Sequence, residues 1–264
     1  MIEKIVFFIF ILLFITGCGD EKGHLRIWLI DAPPPRNVEH IYLTVLKTAI
    51  RDEADEIFIN EYVNQLDVLR LIGGYATPLT YNYEKRSPFL DLEPGNYTSI
   101  MLLLAQINWV VRNNTWDSLL IPIPGDSTFV YELYEDFTIL PGEYLTIVVD
   151  FDATKSINWS SVPYQLTPHF RIFQSSNAGF IQGTVRDTSG AALKFATVQA
   201  VSSSDTMSTL SIDLDTTYSY CLFIPEGTYD IKASANGYTI SDTVYNGVNL
   251  TAGSTLEGYD FTLE

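Results

Sequence analysis

Ile41-Tyr42-Leu43-Thr44-Val45-Leu46 decides the fold class. Ile41, Leu43 and Val45 alternate with Tyr42, Thr44 and Leu46, and a period of two puts the first set on one side of an extended chain and the second on the other. Outward from this stretch the same character repeats in short runs rich in β-branched and aromatic residues, broken by Pro, Gly, Asn and Asp. Leu25 to Ile30 reads as the first strand, and Asp52-Glu53-Ala54-Asp55 as a charged turn into Ile57-Phe58-Ile59. Tyr62 to Leu71, with Leu66, Leu69 and Leu71, is the one stretch read as a helical turn or two. Glu93-Pro94-Gly95-Asn96 launches Tyr97 to Leu104, and Leu140-Pro141-Gly142-Glu143 launches Tyr144 to Phe151. Two such Pro-Gly turns are expected at the edges of an antiparallel sandwich.

The fold class expected is therefore all-β, with two β-sandwich domains. The first covers 24–174, then Ser175-Ser176-Asn177-Ala178-Gly179 reads as a small, flexible hinge, and a second sandwich covers 179–264. The chain of 264 residues is long enough for each domain to bury a core without a metal or disulfide staple.

The N-terminus has a different character. Lys4 heads an apolar run from Ile5 to Ile15, too short for a permanent membrane span and signal-peptide-like. It ends in Ile15-Thr16-Gly17-Cys18, which resembles the bacterial lipobox. That resemblance implies a signal peptide over 1–17, removal of it before Cys18, and acyl chains such as palmitate on Cys18. The acyl chains expected on a lipobox cysteine exceed the two-signal threshold for stable anchoring. The polar tether 18–23 follows, and its acidic pair Asp20-Glu21 resembles the signal that exports lipoproteins to the outer face of the outer membrane. The expected address is the bacterial outer membrane, lipid-anchored and facing either the surface or the periplasm.

Asp and Glu total 32 against 15 Lys and Arg, a net charge of −17 that repels nucleic acid, so no nucleic-acid partner is expected. The cysteines are Cys18 and Cys221 alone, and lipidation of the first leaves no internal disulfide framework.

Leu25-Arg26-Ile27-Trp28-Leu29-Ile30-Asp31-Ala32-Pro33 resembles the opening of a bacterial lipoprotein domain family of unknown function whose usual reading here is Leu-Thr-Asp-Ala-Pro. Ile30 stands where Thr is usual. The likeness continues through Asp67-Val68-Leu69-Arg70-Leu71, Leu92 to Tyr97, Val149 to Ala153 and Tyr164 to Pro168, and implies no known activity. Phe180 to Val185, Asp187-Thr188-Ser189-Gly190, Ala196 to Ala200, Tyr218-Ser219-Tyr220, Ile224 to Ile231 and Asn236-Gly237-Tyr238 are similar to the carboxypeptidase regulatory-like domain. That resemblance implies a transthyretin-like sandwich of about seven strands, used as an accessory module without a peptidase centre. Asp213 to Thr217 departs from the family's Asp-Gly turn.

Strong catalytic signatures are absent. The histidines are His24, His40 and His169, with no zincin spacing, no Gly-x-Ser-x-Gly, no phosphate-cradling loop and no Cys-x-x-Cys. A non-catalytic protein is expected. Asp31, Asp150 and Asp152 end two strands, and if those ends are neighbours the carboxylates converge, either to hold calcium or to cap turns by accepting backbone N–H bonds. Trp109, Trp116 and Trp159 lie among Asn108, Asn113, Asn114 and Asn158, a polar-aromatic mixture suited to a glycan-binding surface, the alternative being ordinary core. Three functions stay open on the sequence: a surface binding or adhesion module taking a glycan or an envelope protein, a pilin-like structural or assembly subunit, and an enzyme or calcium-binding protein using Asp31, Asp150 and Asp152.

Overall fold

The computed structural model describes residues 21–32, 38–71, 75–122, 129–212, 218–239 and 244–264, with the side chains of Asp31 and Ala32 also left out. The 1–17 leader, Cys18, the Asp31 side chain and the Asp213 to Thr217 departure lie outside the described residues.

The first domain runs β1 (Gly23–Ala32), β2 (His40–Asp52), β3 (Ile57–Asn60), β4 (Asn64–Asp67), β5 (Thr77–Pro78) and β6 (Leu90–Leu92). It continues through β7 (Gly95–Leu104), β8 (Ile107–Arg112), β9 (Thr115–Leu120), β10 (Phe129–Ile139) and β11 (Tyr144–Asp152). A single helical turn, α1 (Ala153–Ser156), precedes β12 (Ile157–Asn158), β13 (Tyr164–Leu166) and β14 (Phe170–Gln174). One sheet has five strands in the order β14-β11-β1-β5, with β6 also on β1. The other has nine, in the order β10-β7-β2-β8-β9-β13-β12 with β3 and β4 on β2, and curls into a half-barrel. Leu25, Ile27 and Leu29 of the first sheet and Ile41, Leu43, Ile100 and Leu102 of the second close one continuous apolar core between them. The alternation read at Ile41 to Val45 is the cause: the inward set is buried and the outward set is not.

Two local expectations are corrected and a third is met in part. The strands launched by the Pro-Gly turns are not edges, since β7 lies between β10 and β2, and β11 lies between β1, in parallel, and β14. Within Tyr62 to Leu71 one helical turn forms, a 3₁₀ turn over Val68–Leu71, whereas Asn64–Asp67 before it is the strand β4, because Leu66 pairs opposite Leu43 and contributes to the core. Ser175–Asn177 is one 3₁₀ turn, and Ala178 and Gly179 already belong to a strand, so the expected hinge is structured.

That strand, β15 (Ala178–Gly183), opens the second domain. There follow β16 (Val185–Asp187), β17 (Thr197–Val201), β18 (Thr206–Leu210), β19 (Tyr220–Pro225) and β20 (Gly227–Ser234), then β21 (Tyr245–Leu250), β22 (Thr255–Leu256) and β23 (Phe261–Leu263). They form the sheets β19-β15-β22, β16-β23 and β18-β17-β20-β21 around a core that includes Ile181, Tyr220, Ile231 and Phe261. Both domains pin a strand entry with the same device. The Tyr97 hydroxyl donates to the Glu93 carbonyl at 2.7 Å and the Tyr229 hydroxyl to the Pro225 carbonyl at 2.8 Å, each four residues back across a turn containing Gly. A buried tyrosine thereby satisfies its hydroxyl and a turn carbonyl together.

Candidate functional site

The nine-stranded sheet has an outward face built by the same period of two that makes its core. Tyr42 on β2 is opposite Trp109 on β8, and Trp109 is opposite Ser118 on β9; one row along, His40 is opposite Val111 and Val111 opposite Trp116. Residues directly opposite share a face, so two tryptophans, a tyrosine and a histidine collect there. The Tyr42 and Trp116 rings stack at 5.1 Å and 4°, Tyr42 also stacks on His40 at 5.6 Å, and Trp109 meets Trp116 edge-on at 6.3 Å. Trp116 remains 57% exposed, so an indole held by its neighbours offers free area to solvent.

What holds it is local. Asn113 and Asn114, at φ 49° and 59°, make the two-residue turn between β8 and β9, a left-handed pair whose twist matches the hairpin and which Asn tolerates better than most residues. The Glu39 carboxylate accepts from the Asn114 backbone N–H at 3.2 Å, and the Asp67 carboxylate receives His40 Nδ1 at 2.7 Å and Arg70 Nε at 3.2 Å. Asn108, fully buried, accepts from the Thr44 N–H and donates to the Ala105 carbonyl, pinning β8 to β2. Its role is structural.

The structure thus brings Trp109 and Trp116 together and leaves Trp159 out. Trp159 packs against the first domain's core beside Tyr164, with its indole N–H buried and unpartnered. Tyr42 and His40 complete the face, and the sequence reading missed them as site residues. The signal was the alternation itself, which already put Tyr42 on the outward side.

Asp150 and Asp152 share the outer face of β11 as the period predicted, and they meet a cation supplied by the protein. Arg171, opposite Asp150 on β14, donates to Asp150 at 2.6 Å and to Asp152 at 2.8 Å. Its Nε reaches Asp205 of the second domain, and its Nη2 the Thr206 carbonyl at 2.7 Å. Lys155 bonds Asp205 at 2.8 Å. Asp152 also accepts from the Lys155 backbone N–H at 3.0 Å, capping α1. Among the described residues no group of three or more His, Cys, Asp or Glu is arranged to hold a metal. In place of an open oxygen cage, Asp150 and Asp152 form an ion-paired lock between domains. Burial pushes the Asp150 carboxyl up to about 6 against the pull of Arg171. At Asp205 burial is outweighed by the hydrogen bonds from Lys155 and Arg171, which hold it well below the usual carboxylate range. Beside the lock, Ile30, Val148, Phe173 and Ala178 are buried together with Phe223 packed on them, and this explains why β11 is buried on both faces.

The class is therefore a mostly-β chain of two units, bridged by a partly buried ion cluster and carrying an exposed aromatic sheet face. Residues 22–168, over half of the 264, match the family described as a domain of unknown function (DUF4382), and the chain belongs to that family. Residues 181–264 match the carboxypeptidase regulatory-like domain, so both resemblances carried by the signature residues hold. Neither match is to a catalytic family. No curated protein matches the chain.

Solved structures give distant likenesses. The Bacillus anthracis TIE protein is 14% identical at a TM-score of 0.27, with 92% of this chain and 34% of that one covered. A leucine-rich repeat protein from Bacteroides thetaiotaomicron is 10% identical at 0.21, over 91% and 26%. A C-terminal fragment of the pilus adhesin SpaC from Lactobacillus rhamnosus is 9% identical at 0.19, over 92% and 96%. The chain spans only about a third and a quarter of the first two.

Proposed function

We propose that the chain is a non-catalytic, lipid-anchored lipoprotein of the bacterial outer membrane, held through Cys18, whose two β-sandwich domains serve as a surface binding module. Its first domain takes a neutral saccharide on the face made by Tyr42, Trp109 and Trp116. The observation that carries this reading is the exposed Trp116 indole fixed by stacking on Tyr42. A sugar ring presents an apolar face as well as hydroxyls, and a pre-positioned indole offers it a large contact at little cost in side-chain entropy.

Assembly by strand addition is less well supported. The strand that ends the described nine-stranded sheet, β10, is long, but it carries a bulge between Tyr134 and Phe137 and the acidic side chains Glu132, Glu135 and Asp136. Bulges and charges on an edge discourage further pairing.

The test is a glycan array probed with the full chain and with Trp116→Ala. The proposal expects saccharide hits that fall by about tenfold or more in the variant, the range of a truncated aromatic anchor, with the thermal transition unchanged because Trp116 is largely exposed. Absence of hits with the folded protein, or equal binding by the variant, overturns it.

A further inference from the structure

One end of the first domain is laid out around the start of β1. The Gly142 N–H donates to the Lys22 carbonyl at 3.1 Å, the His24 N–H donates to the Glu143 carbonyl at 2.7 Å, and the Lys22 ammonium bonds Glu93. Gly23 is opposite Leu92, Gly95 is opposite Ile139, and the Glu53 N–H donates to the Asn96 carbonyl at 3.3 Å. The turns 93–96 and 140–143 therefore share the end at which β1 begins. The C-terminal end of β2 lies there too, since Asp52 is opposite Tyr97. β2 is 13 residues long, about 40 Å of strand at the usual rise. Its other end carries His40 and Tyr42, and with them Trp109 and Trp116.

The length of chain before β1 limits where that end can go. Glu21 is the third residue after Cys18, and three residues of chain span at most about 11 Å. Lys22 and His24 are bonded to the turns as above, so an anchor at Cys18 keeps this end, and not the Trp116 end, beside the lipid. Leu140 and Tyr144 stand exposed there. Tyr144 is held by two rings, His24 at 4.3 Å and Phe89 edge-on at 5.1 Å, and is still 67% exposed. Exposed apolar side chains occur elsewhere on the surface, and what singles out this pair is its closeness to the anchor. Tyrosine suits the boundary between headgroups and acyl chains, where its ring is in apolar surroundings and its hydroxyl is wet. Glu21, Glu93 and Glu143 at the same end oppose an anionic surface and favour zwitterionic headgroups.

We propose that this end of the first domain seats on the lipid surface, with Leu140 and Tyr144 in the headgroup layer of a zwitterionic bilayer, and so holds the Tyr42, Trp109 and Trp116 face away from the membrane. The proposal rests on the lipid anchor at Cys18 and not on what the aromatic face binds. The anchor keeps the chain at the membrane, whereas the seat sets its orientation, which a tether alone leaves free.

The test uses the full acylated chain in phosphatidylcholine vesicles carrying a headgroup nitroxide, with a bimane fluorophore on Thr138→Cys or on Thr115→Cys. Both positions are exposed, Thr138 on β10 just before Leu140 and Thr115 at the far end beside Trp116. Cys221 is buried and Cys18 is blocked by its acyl chain, so neither takes the label. Bimane at position 138 loses most of its fluorescence and bimane at position 115 loses none. Adding Leu140→Ser with Tyr144→Ser weakens the seat about tenfold, the weight of two partly buried apolar side chains, and restores most of the fluorescence at position 138. Intact mass first shows the acyl chains on Cys18, and their absence overturns the anchored reading and this proposal with it. In the acylated chain, equal quenching at the two positions, or quenching at position 138 unmoved by the double variant, overturns the seat and leaves the anchor standing.

Discussion

Arg171→Met should destabilise the chain by about 3–5 kcal/mol near neutral pH, the cost of removing one partner from a buried ion pair. The guanidinium is 12% exposed and serves three carboxylates. Without it, Asp205 keeps Lys155 at 2.8 Å and the Thr206 N–H at 2.7 Å, and Asp152 keeps the Lys155 N–H at 3.0 Å. Asp150, 5% exposed, loses its cation, so most of the penalty falls there. The sign of the pH dependence follows. The folded Asp150 carboxyl titrates at about 6, above its unfolded value of about 3.9. Its contribution is therefore most favourable below the unfolded value and is lost as pH rises through the folded one, a swing of about 3 kcal/mol. Loss of Arg171 exaggerates the same trend, because the carboxylate form is left without its partner. Urea unfolding followed by tryptophan fluorescence should show a large deficit for Arg171→Met at about pH 7.5 and a smaller one at about pH 5. Adding Asp150→Asn, which removes the unpaired charge, should restore much of the deficit at the higher pH. A deficit under about 1 kcal/mol, one that does not shrink in acid, or a double variant no better than the single, refutes the reasoning.

Other outcomes follow from the packing. Gly183→Ala should cost about 2–3 kcal/mol in thermal or urea unfolding, since its methyl would sit 2.2 Å from the Tyr259 carbonyl oxygen, which is backbone; an unchanged transition contradicts this. Burial pushes the Cys221 thiol up to about 11, so iodoacetamide at neutral pH should label it in urea and not in the folded chain, as mass analysis would show. Asn114→Val should lower stability by about 1–2 kcal/mol, because a β-branched side chain resists φ 59°, whereas Asn114→Gly should not.

Much of the architecture was legible because period-two alternation is a local consequence of burying one face. Ile41 to Val45 showed it, and the same rule placed Asp150 and Asp152 together on one face of β11. The fate of that face could not be read. What neutralises the pair is Arg171, on a strand nineteen or more residues away, and Asp205 in another domain, and no spacing in the sequence encodes that approach. The Pro-Gly turn ahead of Tyr144 to Phe151 suggested an edge strand, whereas that strand lies between β1 and β14 and is buried on both faces, one of them by the second domain. The same limit governs the aromatics. Trp109, Trp116 and Trp159 looked equivalent by composition, but only register separates the pair that joins Tyr42 on the outer face from the one turned to the core.

The central claim, that Trp116 is a saccharide platform, is tested most directly by acrylamide quenching of tryptophan fluorescence in the full chain, with and without the neutral oligosaccharide that binds most strongly on the array. Trp116 is the tryptophan standing in solvent at 57% exposure, so a sugar stacked on it should protect a quenchable fraction that is missing altogether from Trp116→Ala. Protection that persists in Trp116→Ala, or none in the native chain while the sugar is bound, would contradict the account.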